Sequence, residues 1–267
     1  MTQTSPVWDP QQYLNHADHR TRPFHDLLAR TGNFVGGEPA RIADLGCGAG
    51  NVTTVLAERW PKARITGYDN SPEMLAEAKK HATPTLDFAL ADAAAWAPTE
   101  TYDLIVSNAL YQWIPGHADL FPAHLEALAP GGTFAFQVPG NFTAPSHTLL
   151  AALRESPRWR PRLHGVGDRT AAVLEPAGYF ERLADLGLEP DVWETTYTQV
   201  LTGEDPVLDW VKGTALRPVL TALADDPEAT SAFLAEYAAL LREAYPPTAH
   251  GTLFPFRRIF AVARKES

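Results

Sequence analysis

The stretch RIADLGCGAGN, Arg41 to Asn51, constrains this chain more than any other. A short apolar, acid-tipped run leads directly into glycines at 46, 48 and 50. Glycine at this density serves where backbone must turn through positive φ or let another group come close. Two phosphate-binding patterns fail here. A dinucleotide fingerprint wants its third glycine at position 51, where Asn51 stands, and a Walker loop needs a GK[ST] ending that does not follow. What remains is a GxGxG turn, either a bare strand-to-helix turn with no ligand or a bed for a nucleoside whose tail is not a pyrophosphate. In the second case Asp44, at the strand tip, faces a ligand with an ammonium or a hydroxyl to offer.

The sequence around the turn alternates strand and helix. RIADL (41–45), ARITGYD (63–69), LDFALAD (86–92), YDLIVSNA (102–109) and GGTFAFQVP (131–139) have strand character. VTTVLAERW (52–60) has helical spacing, and SPEMLAEAKKH (71–81) opens with Ser71 as N-cap and Pro72 at the first helical position. An amphipathic helix is expected over His117–Ala129, closed by PGG. This alternation predicts an α/β fold with a doubly wound, mostly parallel sheet. Beyond Pro139 the rhythm changes to helical or irregular sequence from near Ser146 to about Gly187. An alternating strand, DVWETTYTQV (191–200), then some fifty helical residues and a last strand, FPFRRIFAVARK (254–265), complete the chain. The sheet is therefore expected to finish late, with the intervening helices forming a cap.

Spacing adds to the case for a nucleoside. Asp69 ends the second strand nineteen residues after Gly50 (69 − 50). A second strand ends beside the first turn, so a carboxylate there reaches both ribose hydroxyls. Asp92 ends the third strand, where an adenine amino group can donate to it. Any one of these acids has a plainer explanation, such as starting the next turn. Three at successive strand tips beside a glycine turn describe a nucleoside pocket with no cation supplied for phosphates.

DLGCGAGN, GYDNSPEML, ALADAAAW and SNALYQWIP resemble, in order, the motifs of class I S-adenosylmethionine-dependent methyltransferases. The resemblance implies a Rossmann-like sheet of seven strands whose last strand is antiparallel. It also implies S-adenosylmethionine as cofactor, with Asp44, Leu45, Gly46, Cys47, Gly48, Gly50 and Asn51 along its methionine part. Asp69 and Asn70 would take the ribose, while Asp92 and Ala93 meet the adenine. Met74 either flanks the adenine or packs as an ordinary helix residue. Asn108 would lie near the sulfonium, with Trp113 helping to close the pocket; Trp210 is assigned to the interior of the cap.

Outside those motifs, WDPQQYLNHADHRTRP (8–23), QVPGNFTAPSH (137–147), TTY (195–197), WVKGTALRP (210–218) and FPFRRIF (254–260) are similar to the trans-aconitate 2-methyltransferase family. The similarity covers nearly the whole chain and implies monomethylation of a tricarboxylic acid. It departs at His16, His19 and Gly140, where Phe, Glu and Asp are usual. On this basis the chain is expected to be a single domain over 1–267, with an N-terminal lid at 1–32. The cofactor-binding core would span 41–139, and helical cap insertions 140–187 and 200–252.

Composition constrains the acceptor. Lys and Arg number 22 against 32 Asp and Glu, a formal net charge of −10. A field of that sign disfavours nucleic acid and anionic membrane as partners, and an anionic small molecule must be held by local cations. Arginine suits a carboxylate because its planar fork offers two parallel bonds. Arg22, Arg217 and Arg258 lie in family-matching segments and are the expected clamps, with Arg20 and Arg257 as substitutes. Tyr13 and Tyr197 add hydroxyls, and Gln137 and Asn141 add amides near the end of the fifth strand. No catalytic base is expected, since a carboxylate is ionised at neutral pH. No metal is expected either. Cys47 is the only cysteine, which excludes an internal disulfide and a cysteine-rich zinc site. The opening residues lack a signal-peptide pattern, and a cytoplasmic location is expected. Three other readings stay open: another small carboxylic acid or a hydroxylated natural product as acceptor, a non-catalytic cofactor-binding protein, and, last, a dehydrogenase.

Overall fold

The computed structural model describes residues 17–32, 34, 36–168 and 173–266. One sheet runs through the chain in the order β3-β2-β1-β4-β5-β8-β6. Its strands are β1 (Arg41–Leu45), β2 (Arg64–Asp69), β3 (Leu86–Leu90), β4 (Tyr102–Asn108), β5 (Leu128–Pro139), β6 (Leu188–Leu201) and β8 (Gly251–Lys265), with the two-residue β7 (Pro247–Thr248) paired to β8. The first five are parallel to their neighbours, and β8 runs antiparallel to β5. Seven long strands with a late antiparallel one agree with the expected fold. The order in which strands are added to the sheet reverses between β1 and β4, which pair side by side and parallel. In open sheets of this kind ligands bind beyond the carboxyl ends of the strands at that reversal. Asp44, Asp69 and Asn108 all stand at that end.

The chain divides into two compact units. The sheet unit holds most of the chain up to Pro139 together with 173–195 and 258–266. Its core joins Leu45, Ile105, Phe121, Phe134, Phe136, Tyr179 and Ile259, all fully buried. Helix α1 (Ala17–Leu28) buries Phe24, Leu27 and Leu28 in this unit. The turn after it is fixed by Arg30, which pairs with Asp191 at 2.9 Å and lies 4.1 Å above the Trp193 ring. Helices α2 (Thr53–Arg59) and α3 (Pro72–Ala78) follow β1 and β2 as the spacing predicts, and Ser71 accepts from Met74 N as the N-cap.

The helical unit holds 140–168 and 196–257. Its elements include α5 (Pro145–Arg154), α6 (Arg160–Leu163), α8 (Pro206–Lys212), α9 (Arg217–Ala222) and the long α10 (Pro227–Ala244). Leu150, Leu163, Trp210, Leu216, Phe233, Tyr237 and Phe254 form its separate core. The Tyr237 hydroxyl donates to Ser146 O, and Ser146 N donates to the Tyr245 hydroxyl at 3.0 Å, so the start of α5 is tied to the end of α10. No helix among the described residues is long and apolar enough to cross a membrane.

Two expectations need correction. The helix expected over 117–129 is a 3-10 turn, His117–Leu120, followed by α4 (Phe121–Glu126). It stops early because Ala127 O accepts from Tyr102 N at 2.8 Å and Leu128 already pairs with Tyr102 in the sheet. The PGG then forms an irregularity inside β5 rather than a helix end. The expected cap segment 140–187 is also too long. Helix α7 (Pro176–Asp185) belongs to the sheet unit, because Tyr179 and Leu183 complete its aromatic core and the Tyr179 hydroxyl meets His117 Nε2 at 2.8 Å.

Gly67, inside β2, has no room for a side chain. A Cβ there would stand 2.7 Å from Phe88 and 2.9 Å from Cys47. Gly67→Ala should therefore lower stability by about 1–3 kcal/mol in urea unfolding, the usual cost of overpacking. An unchanged midpoint would show that the turn above β2 is not packed this closely.

Candidate active site

The turn after β1 hangs from the end of β2. Gly46 N and Cys47 N both donate to Tyr68 O, at 2.8 and 3.0 Å, and Gly50 N returns to Cys47 O at 3.1 Å. All three glycines take positive φ, +76°, +56° and +79°. They differ in what surrounds them. A Cβ on Gly46 would meet Leu110 at 2.8 Å, and one on Gly50 would meet Phe88 at 2.9 Å and the Ala78 backbone at 3.0 Å. Gly48 has nothing within 4 Å of that position. Gly46 and Gly50 are thus bare for packing, while Gly48 presents bare backbone to open space.

Asp69 locks the turn. Its Oδ2 accepts from Gly48 N and its Oδ1 from Ser71 N, each at 2.9 Å. Burial raises its pKa, against the opposing pull of the Ser71, Gly48 and Asn70 amides. Each carboxylate oxygen keeps a further lone pair, so the group can still accept from hydroxyls of a ligand.

Asp44 lies deeper, at 2% exposure. Its Oδ2 accepts from the Thr53 hydroxyl at 2.7 Å, whereas its Oδ1 is buried with no partner among the described residues. Burial pushes its pKa up to about 7; the Thr53 bond works against this, and the Asp69 charge adds to it. An unpartnered buried carboxylate oxygen on the strand that enters a turn with open glycine backbone fits a ligand ammonium. The Cys47 thiol is pushed well up by burial, then by Asp44 and Asp69, and so is no nucleophile.

The remaining nucleoside candidates follow the same sheet edge. Asp92 is exposed and accepts from Ala94 N at 2.9 Å, capping the short turn Ala93–Ala95. Ala93 is half-buried, Asn70 exposed and Asn51 half-buried. Met74 is buried within α3. Trp113 is half-buried on the turn Tyr111–Trp113. At the end of β4, Asn108 accepts from Gln137 Nε2, and Gln137 Oε1 accepts from Arg258 Nη1 at 3.1 Å. Three residues chosen separately from the sequence thus form one chain across β4, β5 and β8. Gln137 is 1% exposed, and both ends of its amide are engaged in that chain.

In the helical unit Asn141 is buried with its Oδ1 unpartnered among the described residues. Tyr197 is buried, and Arg217 is half-buried at the start of α9. Arg257 donates to Gly140 O at 3.2 Å. Trp210 packs against Phe254 and Phe256 in the core, as assigned. Arg22 is exposed on α1 in the sheet unit. Tyr13 and His16 lie outside the described residues, as do the side chains of His19 and Arg20. No cluster of three or more metal-ligating side chains occurs among the described residues.

Sequence reasoning missed several supporting residues. Thr53 orients Asp44. Ala109, just past Asn108, takes φ +60°, an uncommon value for a residue with a side chain, and its N donates to Gln137 O at 2.9 Å. His124 Nε2 meets Ala93 O at 2.8 Å, and its Nδ1 meets the Tyr111 hydroxyl at 3.0 Å. Burial lowers the His124 pKa, which suits a neutral ring that donates to Ala93 and accepts from Tyr111. The only advance signal for Thr53 was a hydroxyl one turn past the glycines. Nothing local marked His124.

Asp44 makes the site pH-dependent. Its folded pKa lies above the unfolded carboxylate value, so its contribution to stability is full below about pH 4 and is lost as pH rises through about 7. Asp44→Asn should remove that decline and raise stability at pH 8 relative to wild type in urea unfolding. In the wild type, affinity for an ammonium-bearing ligand should fall as pH drops through about 7. Parallel stability profiles for the two proteins would remove Asp44 from this role.

Comparison with known proteins agrees with this geometry. A family profile described as a methyltransferase domain matches residues 42–132. A trans-aconitate 2-methyltransferase of Streptomyces coelicolor is 62% identical, with 99% of this chain and 89% of that protein covered. One of Streptomyces avermitilis is 63% identical over 98% of each. Among solved structures, phosphoethanolamine N-methyltransferase 2 of Haemonchus contortus, in complex with S-adenosyl-L-methionine, shares the fold at TM-score 0.54 and 19% identity, with 92% of this chain and 53% of that chain covered. Near-complete coverage at such identity reaches the helical unit as well as the glycine turn, and the chain belongs to the trans-aconitate 2-methyltransferase family.

Proposed function

We propose that this protein transfers a methyl group from S-adenosylmethionine to one carboxylate of trans-aconitate, forming a monomethyl ester. Family membership supports the reaction, and one observation carries the cofactor assignment. Asp44 Oδ1 is buried and unpartnered among the described residues on the strand that leads into the glycine turn, where Gly48 keeps open backbone and donates its N–H to Asp69. When bound, the cofactor supplies a methyl group activated on a sulfonium.

The residues then have distinct tasks. Asp44 Oδ1 accepts from the cofactor's ammonium, and Gly46, Gly48 and Gly50, with Leu45, Cys47 and Asn51, shape the bed for its methionine part. Asp69 accepts from the ribose hydroxyls, with Asn70 beside it. Asp92 and Ala93 meet the adenine, and His124 fixes the Ala93 carbonyl behind them. Asn108 is held in place through Gln137 by the buried Arg258. No side chain has to act as base, because the acceptor carboxylate is ionised already, with an ordinary pKa of about 4. The chain's contribution to rate is orientation of the two reactants and removal of water from the attacking oxygen.

The partner is a small anionic molecule held by arginines, Arg217 foremost, with Arg22 and Arg258 as further clamps and Tyr13, Tyr197, Gln137 and Asn141 as polar contacts. Nucleic acid and membrane surfaces are not partners in this reading, which the formal charge of −10 supports. A reducing cytoplasmic location suits the single buried thiol.

Mass spectrometry of the product formed from cofactor and trans-aconitate, with cis-aconitate and citrate in parallel, tests the acceptor. A single added methyl on trans-aconitate, with the other two acids poor substrates, is expected. Cofactor binding without transfer to any acid would overturn the reading. Arg217→Ala should raise the acceptor KM about tenfold or more and leave cofactor affinity nearly intact, as loss of a charge-assisted clamp does. A collapse of cofactor affinity instead would show that Arg217 is no substrate clamp.

A further inference from the structure

Helix α5 turns Ser146, Leu150, Leu153 and Arg154 inward, the positions of one helical face. Arg154 therefore occupies a place that the pattern reserves for an apolar side chain, and it is only 6% exposed. Its Nε and Nη1 make no hydrogen bond among the described residues. Burial lowers its pKa, with Asp168 and Glu155 opposing through their charges. Glu155 is engaged elsewhere, 2.9 Å from His164 Nδ1 and 3.6 Å from Arg160 Nε. One glycine lies near Nη1. Gly167 takes φ +65°, and the point where its Cβ would stand is 3.8 Å from Arg154 Nη1 and 2.9 Å from the Pro218 ring.

A helix end alone does not account for this. A cation in a last turn gains roughly 0.3–1 kcal/mol from the helix dipole and can do so in solvent. Taking an unpaired charge out of water costs several kcal/mol. A guanidinium kept buried with open donors is the arrangement left when an anion completes it. Nε and Nη1 each form, with Nη2, one of the two forked edges that match the oxygens of a carboxylate. In a chain of net charge −10, such a group is a local source of anion affinity.

We propose that Arg154 is a carboxylate-binding residue of the helical unit, receiving one carboxylate of a small polycarboxylate beside the side-chain-free Gly167 turn. It holds a carboxylate of the acceptor that does not react. This second statement rests on the function proposed above; the first does not.

Arg154→Met, which keeps the bulk of the stem and removes the charge, separates binding from structure, with Arg154→Gln as a second variant. Both should raise the KM for trans-aconitate at least about 30-fold, the loss expected for a buried charge pair, and leave the KM for S-adenosylmethionine unchanged. Neither should melt below wild type, because a buried charge with unsatisfied donors has been removed. Trans-aconitate and citrate, added as probes in a thermal-shift assay, should stabilise the wild type and not the variants. A lowered Tm with an unmoved acceptor KM would overturn the proposal, as would an equal loss of Tm in Asp168→Asn, the mark of an internal ion pair. If the wild type methylates trans-aconitate and the variants do so with the same KM, the site falls and the function stands. If the wild type methylates no polycarboxylate yet is stabilised by one through Arg154, the function falls and the site stands.

Discussion

The turn after β1 exists only because the end of β2 holds it. Tyr68 O takes two of its amides, and Asp69 takes a third. That arrangement needs backbone at positive φ in three places and a neighbouring strand with no side chain at Gly67, where Phe88 and Cys47 already fill the space. Everything proposed for the cofactor follows from this suspension. The same carboxylate that would meet a ribose also sets the turn's shape, so binding and local fold share one group. A ligand hydroxyl reaching Asp69 meets an acceptor already fixed by two amides, and little ordering remains to be done.

Asp44 shows the cost of that design. A carboxylate at 2% exposure with one oxygen unpartnered is unfavourable in the free protein, and its pKa near 7 records this. Strain of this electrostatic kind is relieved by a proton at low pH, or at higher pH by a cation brought to it. Arg154, in the helical unit, has the converse property: it is a buried cation with open donors. Among the described residues each unit thus holds a charged group that its own folding leaves incompletely satisfied. In the family's reaction the two reactants carry the complementary charges, an ammonium on the donor and carboxylates on the acceptor.

Much of the sheet unit was legible in the sequence because its signals are local. Glycine spacing, acids at strand tips and the Ser71–Pro72 helix start each occupy a few consecutive residues. Asp44, Asp69 and Asp92 duly stand at one edge of the sheet. What was not legible depends on contacts between distant segments. His124 is 31 residues from the carbonyl it holds at Ala93, and nothing near either position announces the pair. The sequence near helix α7 is helical throughout and groups it with the cap, whereas Tyr179 finds its partners at His117 and Phe136. The early end of α4 was decided by Tyr102, on another strand. Arg154 could have been suspected, because it falls four residues after Leu150 on an apolar face. Its missing hydrogen bonds, however, are a property of packing.

The most direct measurement is a crystal structure of the protein with S-adenosylhomocysteine and trans-aconitate bound together. The account requires the α-ammonium of the nucleoside ligand at Asp44 Oδ1, its ribose hydroxyls on Asp69 and its chain along Gly46–Gly50. An adenosyl group bound away from that turn, or an Asp44 oxygen still without a partner in the complex, would contradict it.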